Sequence, residues 1–222
     1  LSLAKYLFII DKGSAKKADV NNEEAFFHLM LERLHLPRDV HFHTNTSMDT
    51  LDYSGTALNA GSKVVFAATG NPLRSLGSQQ EAPSISCDEF SDFYWVSKGI
   101  LALKGPAFTD YAREKTTIKK LMEALEKTDA TARDKFPLLV LCDDPEFVAA
   151  HFSNFLWVTF TRSNPSHDIH GFGETTEHKH WGCLSPLLID ARIKPHHAPA
   201  VEMPAAILQK AREIITLTQS KK

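Results

Sequence analysis

Two stretches of the chain repeat one order of apolar and polar segments. In the first, the apolar run Lys5-Tyr-Leu-Phe-Ile-Ile-Asp11 is followed by Glu24 to Leu36, where Phe26, Phe27, Met30, Leu31 and Leu34 fall on one helical stripe. The short element Pro37-Arg-Asp-Val-His41 comes next, then a second apolar run opened by Ser62 and closed by Ala68. The same order returns as Phe136 to Asp143, Glu146 to Phe160, Pro165-Ser-His-Asp-Ile-His170 and Ser185 to Ala191. A repeat of this kind predicts an α/β fold: two related strand-helix-strand units on a mixed or mostly parallel sheet flanked by helices.

Local signals refine this outline. Asn21, with Glu24 three residues on, predicts a helix N-cap, and Pro37 ends that helix. Val40 to His43 reads as a short strand, and the polar stretch from His41 to Asn59 reads as a long ordered loop. Residues 71–134 read as a segment connecting pseudo-repeats 1–70 and 135–195. Within it, Asn71 to Asp92 has the Gly, Ser, Gln and Pro of a surface excursion, Phe93–Val96 and Ile100–Leu103 read as paired strands, and Thr116 to Lys127 reads as an amphipathic helix. Asp144-Pro145 is a strong helix start, and the helix it opens, Glu146 to Phe160, is apolar nearly all round and needs cover on two sides. Residues 196–222 form an arm whose helix, opened by Pro204, is expected to dock on another domain or subunit. The whole is read as a single domain.

Composition narrows the class. With 222 residues and a formal charge of −2, the chain can bury a core of its own and shows no basic footprint for nucleic acid. No apolar run approaches the length of a membrane span. Three cysteines, Cys87, Cys142 and Cys183, have neither metal spacing nor the even count of a disulfide framework, and Cys142 reads as a small core residue, so a cytoplasmic setting is expected. The chain opens on Leu1-Ser2 directly before a core-type strand, as a piece of a longer protein would.

Candidate chemistry is sparse. The paired histidines, His41 and His43, His178 and His180, His196 and His197, offer at most a start for zinc, and loop histidines in hydrogen bonds or solvent are the expected reading. Asp49 and Asp52 have the spacing of turn-capping residues more than of an acid and base pair. Gly61-Ser62-Lys63 lacks the upstream glycine of a phosphate loop and runs into a strand, and there is no nucleophile elbow or dinucleotide fingerprint. Arg33 with Asp39, and Arg162 with Asp168, flank a proline at the same place in each unit. They are expected to form a structural clasp, the Arg on the last helical carbonyls and the Asp on the next turn. No residue is identified as catalytic or as a metal ligand.

The segments Asn45-Thr-Ser-Met-Asp-Thr-Leu-Asp-Tyr-Ser-Gly55 and Gly61-Ser-Lys-Val-Val-Phe-Ala-Ala-Thr69, with Phe155 to Asp168, resemble the C-terminal region of UbiD-type decarboxylases, the 3-polyprenyl-4-hydroxybenzoate carboxy-lyases. Ser47 stands where that family has Pro, and Ala67 where it has Asp. The resemblance implies reversible decarboxylation of an aromatic or unsaturated acid with prenylated FMN, Mn2+ and K+. It places the flavin and metal ligands in an upstream flavin-binding domain of the same chain and implies a homo-oligomer. No cofactor is expected on this chain, which alone is expected to be inactive. The resemblance gives this region two roles, oligomer contacts and one apolar wall of the active site, for which Met48, Leu51 and Tyr53 are the candidates. Two alternatives stand beside it: a non-catalytic dimerisation module, and a stand-alone enzyme using the histidine pairs on a metal.

Overall fold

The computed structural model describes residues 3–15, 21–55, 57–79, 85–199 and 203–219, and it divides their strands between two mixed sheets. The first unit supplies β1 (Tyr6–Ile10), α1 (Lys12–Ala15), α2 (Glu23–Arg33), β2 (Val40–Ser47) and β3 (Ala60–Ala68). Its strand order is β1-β3-β2, with β1 parallel and β2 antiparallel to β3. Then come β4 (Ser91–Ser97), β5 (Ile100–Lys104), α3 (Tyr111–Glu126) and α4 (Ala130–Arg133). The second unit supplies β6 (Leu138–Cys142), α5 (Pro145–Ala150), α6 (Phe152–Thr161), α7 (Pro165–Asp168), β7 (Ile169–Glu177) and β8 (His180–Asp190), and α8 (Ala205–Gln219) closes the chain.

The second sheet has the order β4-β5-β6-β8-β7. Its β6-β8-β7 portion, with β6 parallel and β7 antiparallel to β8, has the order and sense of β1-β3-β2. The repeated pattern in the sequence is thus a repeated topology. The short strand predicted at Val40 to His43 is present and longer, and the matching element of the second unit, read as a short Pro165 to His170 element, is the full strand β7. β2 continues through Ser47, across a bulge at Asn45 (φ 51°), so the predicted long loop begins seven residues later than His41.

Residues 71–134 do more than connect. They contribute β4 and β5, which extend the second sheet, and α3, which is capped by Asp110 and packs Ile118, Leu121 and Leu125 against Leu139, Leu141 and Leu188. On the other face of that sheet, one core holds both units together. Phe8 lies 5.0 Å from Phe27, 5.3 Å from Phe66 and 5.3 Å from Phe160, so β1, α2, β3 and α6 meet on a single aromatic cluster.

Two helix readings are corrected. The N-cap of α2 is Asn22, not Asn21: its backbone is extended, and its side-chain oxygen accepts from the Ala25 amide three residues on. The predicted single helix from Glu146 to Phe160 is two, since His151 is extended (φ −147°, ψ 140°) and begins a new helix without a side-chain cap. The break turns Phe155 and Val158 into the core and leaves Phe147 and Trp157 exposed. Asp144 caps α5 through the Phe147 amide, as Asp-Pro predicts. The apolar positions Ile207, Leu208, Ile214 and Ile215 of α8 are exposed.

Candidate site at the seam of the two units

The three segments of the sequence resemblance meet where the units join. Ser62, at the start of β3, donates to the Asn164 side chain just before α7 and accepts from the Ser166 amide at 2.8 Å. Both Ser62 and Asn164 are fully buried. Close by, the Tyr6 hydroxyl bonds Ser163, which donates to the Thr159 carbonyl at the end of α6. The Gly-Ser-Lys strand of one unit and the Arg-x-x-Pro turn of the other thus satisfy each other's polar groups inside the protein.

Buried charges surround this contact. Lys194 sits 3.3 Å from Asp168 Oδ1 and donates to the carbonyls of Asp190, Arg162 and Arg192. Asp190 and Glu114 both accept from the Arg192 guanidinium, whose remaining donor reaches the Pro106 carbonyl. Burial works to raise the Asp190 pKa, but the bonds from Arg192 and the Lys194 charge outweigh it and hold the group below its ordinary value. For Asp168, burial prevails over Lys194 and the Asn164 amide, and its pKa is raised to about 6. Burial, with the nearby Asp168 and Asp190 charges, also raises the pKa of Tyr111, and burial lowers those of His167 and His196 on the rim.

Asp39 and Asp168 occupy matching places. Asp39 Oδ2 accepts from the His35 amide at 2.8 Å, and Asp168 Oδ2 accepts from the Asn164 amide at 2.6 Å, each four residues back across a proline-bearing turn. The arginines diverge: Arg33 reaches the Leu29 carbonyl on its own helix, whereas Arg162 reaches Asp143 at 3.5 Å.

Above the seam lies the connection from β2 to β3. Met48 is buried, with its side chain on the face of Gly61, where a Cβ would collide with it. Leu51 and Tyr53 are 80% and 58% exposed, so Met48 does not share one wall with them. Asp49 accepts from the Leu51 amide and Asp52 from the Ser54 amide, both at 2.9 Å, which is local turn capping. Asp52 also pairs with Lys5 at 2.8 Å, and Lys5 donates to Ser54 Oγ at 2.7 Å. Sequence reasoning missed Lys5 and Lys194. Lys5 carried a signal, a lysine immediately before a core-type strand, where a charge needs buried partners; Lys194, four residues beyond β8, carried none.

The histidines scatter. His41 of β2 packs on His180 of β8 at 5.3 Å between ring centres, while His196 and His197 lie together on the arm. Among the described residues no group of three or more His, Cys, Asp or Glu is arranged to hold a metal ion. A void between the units, about 10 Å3, is lined by apolar residues including Phe8, Leu36, Phe66 and Phe160, far too small for a flavin. No helix of the described residues is long and apolar enough to cross a membrane.

Comparison with known proteins agrees with the sequence resemblance. Residues 1–68 match the model of the 3-octaprenyl-4-hydroxybenzoate carboxy-lyase C-terminal domain. An uncharacterized protein of Chlamydia trachomatis is 32% identical over 204 residues, 91% of this chain and 32% of its own length. A Chlamydia pneumoniae protein, named as a subunit of 4-hydroxybenzoate decarboxylase, is 30% identical over 218 residues, 96% of this chain and 33% of its own. The chain therefore spans about a third of the curated relatives it matches. Vanillic acid decarboxylase of Sedimentibacter hydroxybenzoicus shares 11% identity at a TM-score of 0.36, over 82% of this chain and 47% of its own, a likeness too slight to carry argument.

Proposed function

Because residues 1–68 match the 3-octaprenyl-4-hydroxybenzoate carboxy-lyase C-terminal domain, we propose that this chain is the C-terminal part of a UbiD-type decarboxylase acting reversibly on an aromatic or unsaturated acid. The observation that carries the reading is the extent of the family match, which takes in β1, β2, β3 and the whole β2–β3 loop. Support also comes from the relative named for 4-hydroxybenzoate decarboxylation, which this chain matches over nearly its full length.

In this reading prenylated FMN supplies an electron sink for loss of CO2, with Mn2+ and K+ beside it. Among the described residues no group of three or more His, Cys, Asp or Glu is arranged to hold such a metal ion. We assign the cofactors to a flavin-binding domain or partner subunit beyond this chain. The chain's own contribution is an apolar surface offered to the acid by Leu51 and Tyr53, with Met48 anchoring the loop behind them. The exposed stripe of α8 serves contact with another subunit. The setting is cytoplasmic.

The test is exchange of labelled bicarbonate into phenolic acids by the full-length protein, produced with a source of prenylated flavin. Exchange that is lost without the flavin supports the reading. A full-length protein that folds, takes up the flavin and exchanges no acid from a panel of benzoates and cinnamates would contradict it.

A further inference from the structure

We propose that Lys5 is a positioning residue, which fixes the base of the β2–β3 loop and thereby sets which acids the exposed Leu51 and Tyr53 admit. The proposal rests on the carboxy-lyase reading above and adds the device that holds the loop in place.

Its basis is a closed ring of bonds. Lys5 Nζ reaches Asp52 Oδ2 at 2.8 Å and Ser54 Oγ at 2.7 Å, while Ser54 donates to Asp52 Oδ1 from its hydroxyl at 2.6 Å and from its amide at 2.9 Å. Every member of the ring is thereby bonded to both others. The lysine is 9% exposed and Ser54 only 1%, so the ring is screened little by solvent. The second unit adds a further negative charge: Asp168 favours the charged form of Lys5, as Asp52 does, while Lys194 opposes it. At the other end, Met48 is seated on Gly61. Both ends of the 48–54 segment are thus fixed, while Leu51 and Tyr53 between them stand in the open. A rigid base under an exposed apolar tip is the arrangement a specificity loop requires.

A lysine is a costly choice here if the need is only to fill space. Burial lowers its pKa, which Asp52 opposes, and an apolar side chain of equal length would avoid that penalty. What the ammonium adds is direction, since it holds a carboxylate and a hydroxyl at fixed points.

The experiment compares Lys5→Met, Lys5→Arg and Asp52→Asn in the full-length enzyme. Two readouts are used: amide hydrogen exchange at residues 49–54, and the ratio of kcat/KM between a small and a bulky acid. Lys5→Met and Asp52→Asn should each speed exchange of the loop by about tenfold, leave the β-sheet amides protected, and shift the substrate ratio by about tenfold through KM. Lys5→Arg should restore most of both. Asp52 lies nearer the surface, so its variant keeps the test open should Lys5→Met fail to fold. Unchanged loop exchange and an unchanged ratio in Asp52→Asn would overturn the proposal. Leu51→Ala and Tyr53→Ala separate the two claims. If they move the ratio and the Lys5 and Asp52 variants do not, positioning fails alone; if they leave it unmoved, the active-site wall itself is wrong.

Discussion

The two units share a topology but close their antiparallel strands differently. In the second, β7 turns into β8 through His178 and Lys179 alone, both at positive φ (49° and 67°), the tight hairpin that follows the natural twist of the strands. In the first, residues 48–59 stand in that place. The scaffold therefore needs no loop there, and what the first unit adds is an anchored excursion with apolar residues at its tip. The strand ends differ in the opposite sense. Ala67-Ala68-Thr69 ends β3, whereas Asp190-Ala191-Arg192 follows the same register out of β8 and carries a buried charge cluster. One unit has elaborated its loop and the other its core-side charges.

The largest expected effect lies in that second contrast. Arg192→Leu leaves Asp190 and Glu114 buried without their cation and should cost about 3–5 kcal/mol in urea unfolding. Thr69→Ala at the matching, exposed position of the first unit should stay within about 0.5 kcal/mol.

A pH profile sharpens the comparison next. The Asp168 pKa is raised in the folded state, to about 6 from 3.8, so the folded protein keeps a proton the unfolded chain has released. Its contribution to stability is whole below about pH 4 and is lost as pH rises through 6. The window is worth on the order of 3 kcal/mol at most. Asp168→Asn should flatten that part of the stability curve, measured by urea titration from pH 4 to 7.

Smaller effects distinguish the loop anchors from their counterparts. Gly61→Ala forces Met48 from its seat and should cost about 1–3 kcal/mol, while Leu184→Ala, at the matching and half-exposed place before Ser185, should cost less than about 1 kcal/mol. Asp39→Ala removes the bond to the His35 amide and should lower stability by about 1 kcal/mol by thermal unfolding.

The duplicated order was legible because each unit buries its apolar runs in the same sequence of strand, helix, strand and strand. The break at His151 was not, since Val148 of α5 and Phe152 and Phe155 of α6 keep a helical spacing across it, and nothing in the local sequence marks His151 as extended. β4 and β5 were legible as a hairpin, but their edge-to-edge joining with β6 is a long-range pairing with no local signal. For the site, Asp49 and Asp52 revealed their turn-capping role through spacing. Lys5 is far from Asp52 in sequence, and its contact depends on parallel pairing of β1 with β3. Sequence spacing also grouped Met48 with Leu51 and Tyr53, although the turn sends the first inward and the others out.

The units share a scaffold, and the proposal to be tested is that only the first unit's loop serves the chemistry. It is tested most directly by replacing residues 48–59 with the His178-Lys179 turn in the full-length enzyme, together with Lys5→Met so that no buried cation is stranded. The account predicts a folded, flavin-loaded protein whose bicarbonate exchange falls at least about a hundredfold. Full exchange with an unchanged substrate profile would contradict it.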